Sequence, residues 1–114
     1  MKLDVKEIGA VSAIHVRGNL IGGPETLDVH EKVKQLLGQK RNRIVIDLSA
    51  VAWINSSGLG MLMGCLTSVK NAGAEMKLTG VTDKVKNLFV ITKLITLFDV
   101  FETVQEAVAA FGKL

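Results

Sequence analysis

The sequence predicts an α/β domain: a mixed β-sheet opened by an N-terminal hairpin, its later strands largely parallel, with about four helices packed against it. Three observations carry that expectation. Two short strand-like segments flank Gly9-Ala10, the pattern of a hairpin. From Pro24 onward, stretches with helical apolar spacing alternate with short β-branched runs, as in successive βαβ units. Residues 43–48 (Arg-Ile-Val-Ile-Asp-Leu) are nearly continuous in apolar character, which fits a central strand buried on both faces. The chain has 114 residues, 48% apolar and 22% charged, enough for one compact domain over residues 1–114 and too apolar for disorder.

The elements follow in order. Residues 3–8 alternate as a strand, with Leu3, Val5 and Ile8 expected inward, and residues 11–16 form the second strand, ending at Gly18. Gly22-Gly23-Pro24 punctuates the chain, and Pro24 suits the first turn of a helix over 24–37. Val29, Val33, Leu36 and Leu37 supply its apolar stripe, and Gly38 is the expected stop. After the strand at 43–48 comes a loop over 49–56, then a helix over 57–71. Leu59, Leu62, Leu66 and Val69 form its stripe, and Gly73 ends it. A short strand at 75–78 precedes a helix capped by Thr82 or Asp83 and carrying Val85, Leu88 and Phe89. Residues 98–101 are expected at a sheet edge. Thr103 and Glu106 have capping-box spacing before a last helix with Val104, Ala107, Val108 and Phe111.

Composition narrows the function. A single cysteine, Cys65, excludes an internal disulfide and a multi-cysteine metal site, and its place on an apolar stripe points to the core. The net charge of +3 is spread along the chain. Its densest basic cluster, Lys40-Arg41-Asn42-Arg43, has no interleaved aromatics, so it reads as a solvated turn, and direct nucleic-acid binding is not expected. The opening residues alternate charge with apolar character, unlike a signal peptide, and no segment has the roughly 20 apolar residues of a membrane span. Cytoplasmic residence without membrane insertion is the expectation.

The chemically informative stretch joins the central strand to the next helix: Asp47-Leu48-Ser49, an apolar spacer, then Trp53-Ile54-Asn55-Ser56-Ser57-Gly58-Leu59-Gly60. Sites collect at the carboxyl ends of strands in open α/β sheets, and the amides of a helix start favour an anion there. Two local readings stand: the polar residues are only helix caps, with Gly58 and Gly60 allowing close packing, or a serine carries a phosphate. No Gly-x-Ser-x-Gly elbow surrounds either serine, so a nucleophilic enzyme is not expected. His30, between Leu27 and Val33, reads as packed or half-exposed, and Asp28 and Asp47 have no metal-binding company. Met61 and Met63 read either as core or as a sticky patch. Trp53 reads either as packed beneath the loop or as an aromatic anchor.

Over nearly the whole chain, this segment and the order of elements resemble the STAS domain family, specifically bacterial anti-sigma factor antagonists. The resemblance implies that Ser57 accepts a phosphate from an anti-sigma factor serine kinase, that Ser56 is its capping neighbour, and that Gly58 and Gly60 let a partner approach. Trp53, Asn55, Ser56, Ser57, Gly58, Leu59 and Gly60 would form the partner-binding switch loop. It implies a partner switch rather than an enzyme, with no cofactor or metal: the unphosphorylated chain binds the anti-sigma factor, phosphorylation releases it, and a serine phosphatase resets it. A scaffold or transporter-accessory STAS module without phosphorylation is the alternative. The chain departs from the common family pattern at Asn55, often aspartate, and at Ile21 in Gly18-Asn19-Leu20-Ile21, where an aspartate is frequent.

Overall fold

In the computed structural model, which describes residues 2–112, the elements are β1 (Lys2–Ile8), β2 (Val11–Arg17), α1 (Gly23–Gly38), β3 (Arg43–Ala50), α2 (Ser56–Asn71), β4 (Glu75–Thr79), α3 (Asp83–Ile91), a 3₁₀ turn (Leu94–Leu97), β5 (Asp99–Phe101) and α4 (Val104–Ala110). The sheet order is β1-β2-β3-β4-β5. β1 and β2 pair antiparallel, and every later neighbour is parallel. Because each parallel step moves the chain the same way across the sheet, right-handed crossovers place α1, α2 and α3 on one face. Their apolar residues form one core with Ile14, Val16, Ile44, Ile46 and Leu48 of the sheet. The opposite face packs Val11, Ala13 and Val45 against Ala107 and Phe111 of α4. β3 is the middle strand, and Ile44, Val45, Ile46 and Leu48 are fully buried on its two sides, as its apolar run predicts.

Three details correct the sequence reading. Ile8 is 39% exposed, because a period of two sets it on the face opposite to Leu3 and Val5. Gly38 is still helical, the last residue of α1; Gln39 is the cap, and the left-handed turn falls at Lys40, with φ 61. The basic cluster is also not a free solvated turn. Arg41 pairs with Glu7, donates from Nε to Ser12 Oγ at 2.9 Å and reaches Gly9 O at 3.1 Å, tying the start of β3 to the hairpin. Arg43 donates to Gly112 O at 3.3 Å and lies 5.8 Å from the Phe111 ring centroid.

On the α4 face, Asp47 organises a polar knot. Its carboxylate accepts from His15 Nδ1 at 2.8 Å, from the Ser49 amide and hydroxyl at 3.1 Å each, and from Thr79 Oγ1 at 3.2 Å. Burial pushes this carboxyl up, but the bonds from Ser49 and His15 outweigh it and hold Asp47 below its usual range. A depressed carboxyl contributes stability that is complete above its unfolded pKa and is lost as pH falls through the folded value. Asp47→Asn should therefore cost about 1–2 kcal/mol near neutral pH and flatten the acid limb of the stability curve. Urea unfolding between pH 7 and pH 3 reads this; wild-type and variant curves that fall in parallel would refute it.

Candidate functional site

Because β2 and β3 are parallel neighbours, the loops leaving their carboxyl ends lie side by side. Backbone bonds stitch them together: Leu20 N–H donates to Trp53 O at 3.0 Å, and Asn55 N–H to Leu20 O at 3.1 Å. Leu20 and Ile54, both fully buried, form a parallel bridge beneath the stitch. Asn19 Oδ1 accepts from the Trp53 amide at 3.1 Å. Residues 18–23 are thus half of the site, a contribution the sequence signals only through Gly18, Gly22 and Gly23.

At the start of α2 the cap is Asn55, not Ser56. Asn55 has the extended backbone a cap requires (φ −103, ψ −173), and its Oδ1 accepts from Gly58 N–H at 3.1 Å. Ser56 is already the first helical residue, and its side chain is exposed. Ser57 follows, also exposed, with Gly22 against it. A methyl group on Gly22 would lie 3.4 Å from Ser57 Cβ and 3.6 Å from Oγ, and the φ of 107 at Gly22 favours glycine.

Gly58 faces inward: a Cβ there would meet Leu20 O at 2.1 Å. Gly58 and Leu59 are both buried, so they pack against the stitch beneath the loop. Gly60 is exposed, with open space where a side chain would be. Trp53 is 40% exposed, and Lys84 Nζ sits 5.2 Å from its ring centroid. It is a surface aromatic held in place by a cation from α3.

An open groove of about 390 Å³ runs between α1 and α2, lined by Gly22, Thr26, Leu27, His30, Ser57 and Gly60 among others. Leu27, 60% exposed, shares that groove with Ser57, while Ile21 at 54% and Trp53 are the exposed apolar side chains of the two stitched loops. The first turn of α2 contains no acidic residue, so its amides carry no competing anion from their own helix.

Both histidines have other partners. His30 Nε2 lies 2.8 Å from Ser68 Oγ; burial, then Lys34, lowers its pKa against an opposing pull from Glu31, favouring the neutral ring. His15 belongs to the Asp47 knot. Cys65 is fully buried, and burial pushes its thiol up to about 12, which makes it an inert core residue. Met61 is also core, while Met63 is partly buried at its edge. Among the described residues, no group of three or more His, Cys, Asp or Glu could hold a metal ion, and no helix is long and apolar enough to cross a membrane.

This fold, with a hydroxyl presented at the start of the helix after the central strand, is that of one domain family. The chain belongs to the STAS domain family, whose model matches residues 2–107. It is 36% identical over 73 residues to the anti-sigma-B factor antagonist of Listeria monocytogenes, an alignment spanning 60% of this chain and 64% of that protein. Its backbone superposes on an anti-sigma factor antagonist from Mycobacterium paratuberculosis with a TM-score of 0.81 at 21% identity, covering 96% of this chain and 92% of that one. For the phosphorylated form of the Bacillus cell-fate determinant SpoIIAA, the TM-score is 0.74 at 15% identity, covering 97% and 100%. At these identities the structural matches speak to the fold.

Proposed function

We propose that this chain is a cytoplasmic anti-sigma factor antagonist that binds an anti-sigma factor serine kinase through the surface around Ser57 and releases it once Ser57 is phosphorylated. The observation that carries the reading is the exposed Ser57 residue at the second position of α2, in a groove it shares with exposed Leu27. The relatives named as antagonists support it. In the transfer step, Ser57 Oγ forms a bond to the γ-phosphorus of the kinase's nucleoside triphosphate, the bond to the β-phosphate oxygen breaks to release the nucleoside diphosphate, and the hydroxyl proton passes to a base of the kinase. A serine phosphatase reverses the state by hydrolysis.

The switch acts on the interface rather than the fold. A phosphate brings about −1.5 to −2 charges to amides that favour an anion, so the domain stays folded. The same charge on an apolar-rimmed surface must be desolvated and meets the partner's own acidic groups. A penalty of about 3 kcal/mol weakens binding by more than a hundredfold. The chain itself carries out no catalysis in this reading.

Pull-down from native lysate with wild type, Ser57→Ala and Ser57→Asp, with phosphosite mapping, tests the proposal. Wild type and Ser57→Ala should recover a kinase, and Ser57→Asp should lose it by about a hundredfold. Equal recovery by all three would remove Ser57 from the mechanism and favour a scaffold or transporter-accessory module.

A further inference from the structure

Asn55 does two jobs with the two ends of one side chain. Its Oδ1 accepts from Gly58 N–H at 3.1 Å, the capping bond of α2. Its Nδ2 donates to Ile21 O at 2.8 Å, across 34 positions of sequence, to the loop that leaves β2. The amide orientation is fixed by chemistry: turned over, the side chain would set oxygen against the Ile21 carbonyl and NH₂ against the Gly58 amide. The first bond suits any good cap, including aspartate and serine; the second requires a donor. An ionised carboxylate has none.

We infer that Asn55 is the positioning residue that sets the shape of the surface around Ser57 in this chain, through an amide donor that an aspartate lacks. The Ile21 carbonyl it holds is followed directly by Gly22, the residue backing Ser57, and the Ile21 side chain is itself exposed. The clamp therefore fixes both the exposure of the hydroxyl and the position of one wall of the groove. Capping alone gives the opposite ranking. A negative charge at the cap is favoured by the helix dipole, so a residue that only capped would be as good or better as aspartate. Aspartate in the clamp instead points an anion at a carbonyl oxygen and pushes the 18–23 loop away.

The functional meaning rests on the reading of Ser57 as the working hydroxyl, but the clamp can be tested without it. Amide hydrogen exchange, normalised to intrinsic rates, is measured on wild type, Asn55→Ser and Asn55→Asp. Both variants keep a cap, so both should fold and retain protection at Gly58 N–H. Protection at Leu20 N–H and at the residue-55 N–H, the two bonds of the stitch, should fall about fivefold in Asn55→Ser and further in Asn55→Asp. In a second arm, Ser57→Cys places a thiol at the site while Cys65 stays silent in the core. Its reaction with the disulfide reagent DTNB should quicken about threefold when Asn55→Ser is added, because the Gly22 wall loosens. Unchanged protection at Leu20 in Asn55→Asp, or an unchanged labelling rate, would overturn the clamp. A loosened stitch combined with equal partner recovery by the Ser57 variants would uphold the clamp and overturn only the phosphorylation switch.

Discussion

Gly58→Ala is expected to lower stability by about 2–3 kcal/mol and the melting temperature by about 10 °C. The added Cβ would lie 2.1 Å from Leu20 O, 2.8 Å from Leu20 Cβ and 2.9 Å from Ile54 Cγ2. The first of these is backbone, and Leu20 and Ile54 are both fully buried. None of the three can swing aside as a surface lysine would, so the helix must back away from the stitch between the two loops. Alanine is worth up to about 1 kcal/mol more than glycine within a helix, which offsets only part of the overlap. Gly60→Ala, two residues on, isolates that propensity term, since open space surrounds its Cβ. It should raise stability by about 0.5–1 kcal/mol. Thermal melts by circular dichroism read both, and a Gly58→Ala melt that matches or exceeds the Gly60→Ala melt would sink the argument. The loss should extend to binding, because the overlap falls on the same backbone that positions Ile21 and Gly22 beside Ser57.

Much of this fold was readable from periodicity. Alternation marks the hairpin, a 3.6-residue stripe marks α1 and α2, and the unbroken run in β3 marks the central strand. What escaped has a common cause in tertiary packing. Leu94–Leu97 forms a 3₁₀ turn that no local period announces; Lys93 enters it at φ 61, and Leu94 and Ile95 gain their partial burial from the core they pack against. The one-residue error at the α2 cap has the same origin. A Ser-Ser pair after Asn offers three adequate caps, and the phase is chosen by which residue lets Gly58, Leu59 and Leu62 turn inward together. The segment from Asn55 to Gly60 was visible as a motif, whereas the loop it is stitched to lay far upstream. Nothing local in Gly18-Asn19-Leu20-Ile21 says that it will bond to Trp53 and Asn55, because parallel pairing of β2 with β3 decides that.

That division also separates what is anchored deeply from what is held at one point. The stitch rests on buried Leu20 and Ile54, so the Ser57 surface moves only if its clamp or its glycine contact is broken. The Trp53 backbone belongs to that stitch, but its ring meets Lys84 of a helix with far less in the core.

Phe89→Ala is expected to cost about 3–5 kcal/mol, the usual range for truncating a buried phenylalanine. α3 spans nine residues and buries only Val85 and Phe89, while Val90 and Ile91 are 53% and 77% exposed. A helix this short does not hold together without packing. The Phe89 ring stacks on Phe98, centroid to centroid at 5.6 Å, and Phe98 immediately precedes β5, an edge strand of three residues. One side chain thus ties both α3 and the β5 edge to the sheet. Its loss should release that edge before the β1–β4 sheet and its α1–α2 layer unfold, giving two transitions in urea where wild type gives one. Trp53 provides the readout: with α3 unwound, Lys84 leaves its ring, so its emission should change in the first transition while far-ultraviolet circular dichroism retains most of its signal. A single coincident transition for both probes in Phe89→Ala would mean that the edge is bound into the same cooperative unit as the serine surface. Two transitions would mean that α3 and the β5 edge form a unit that unfolds separately from the serine surface.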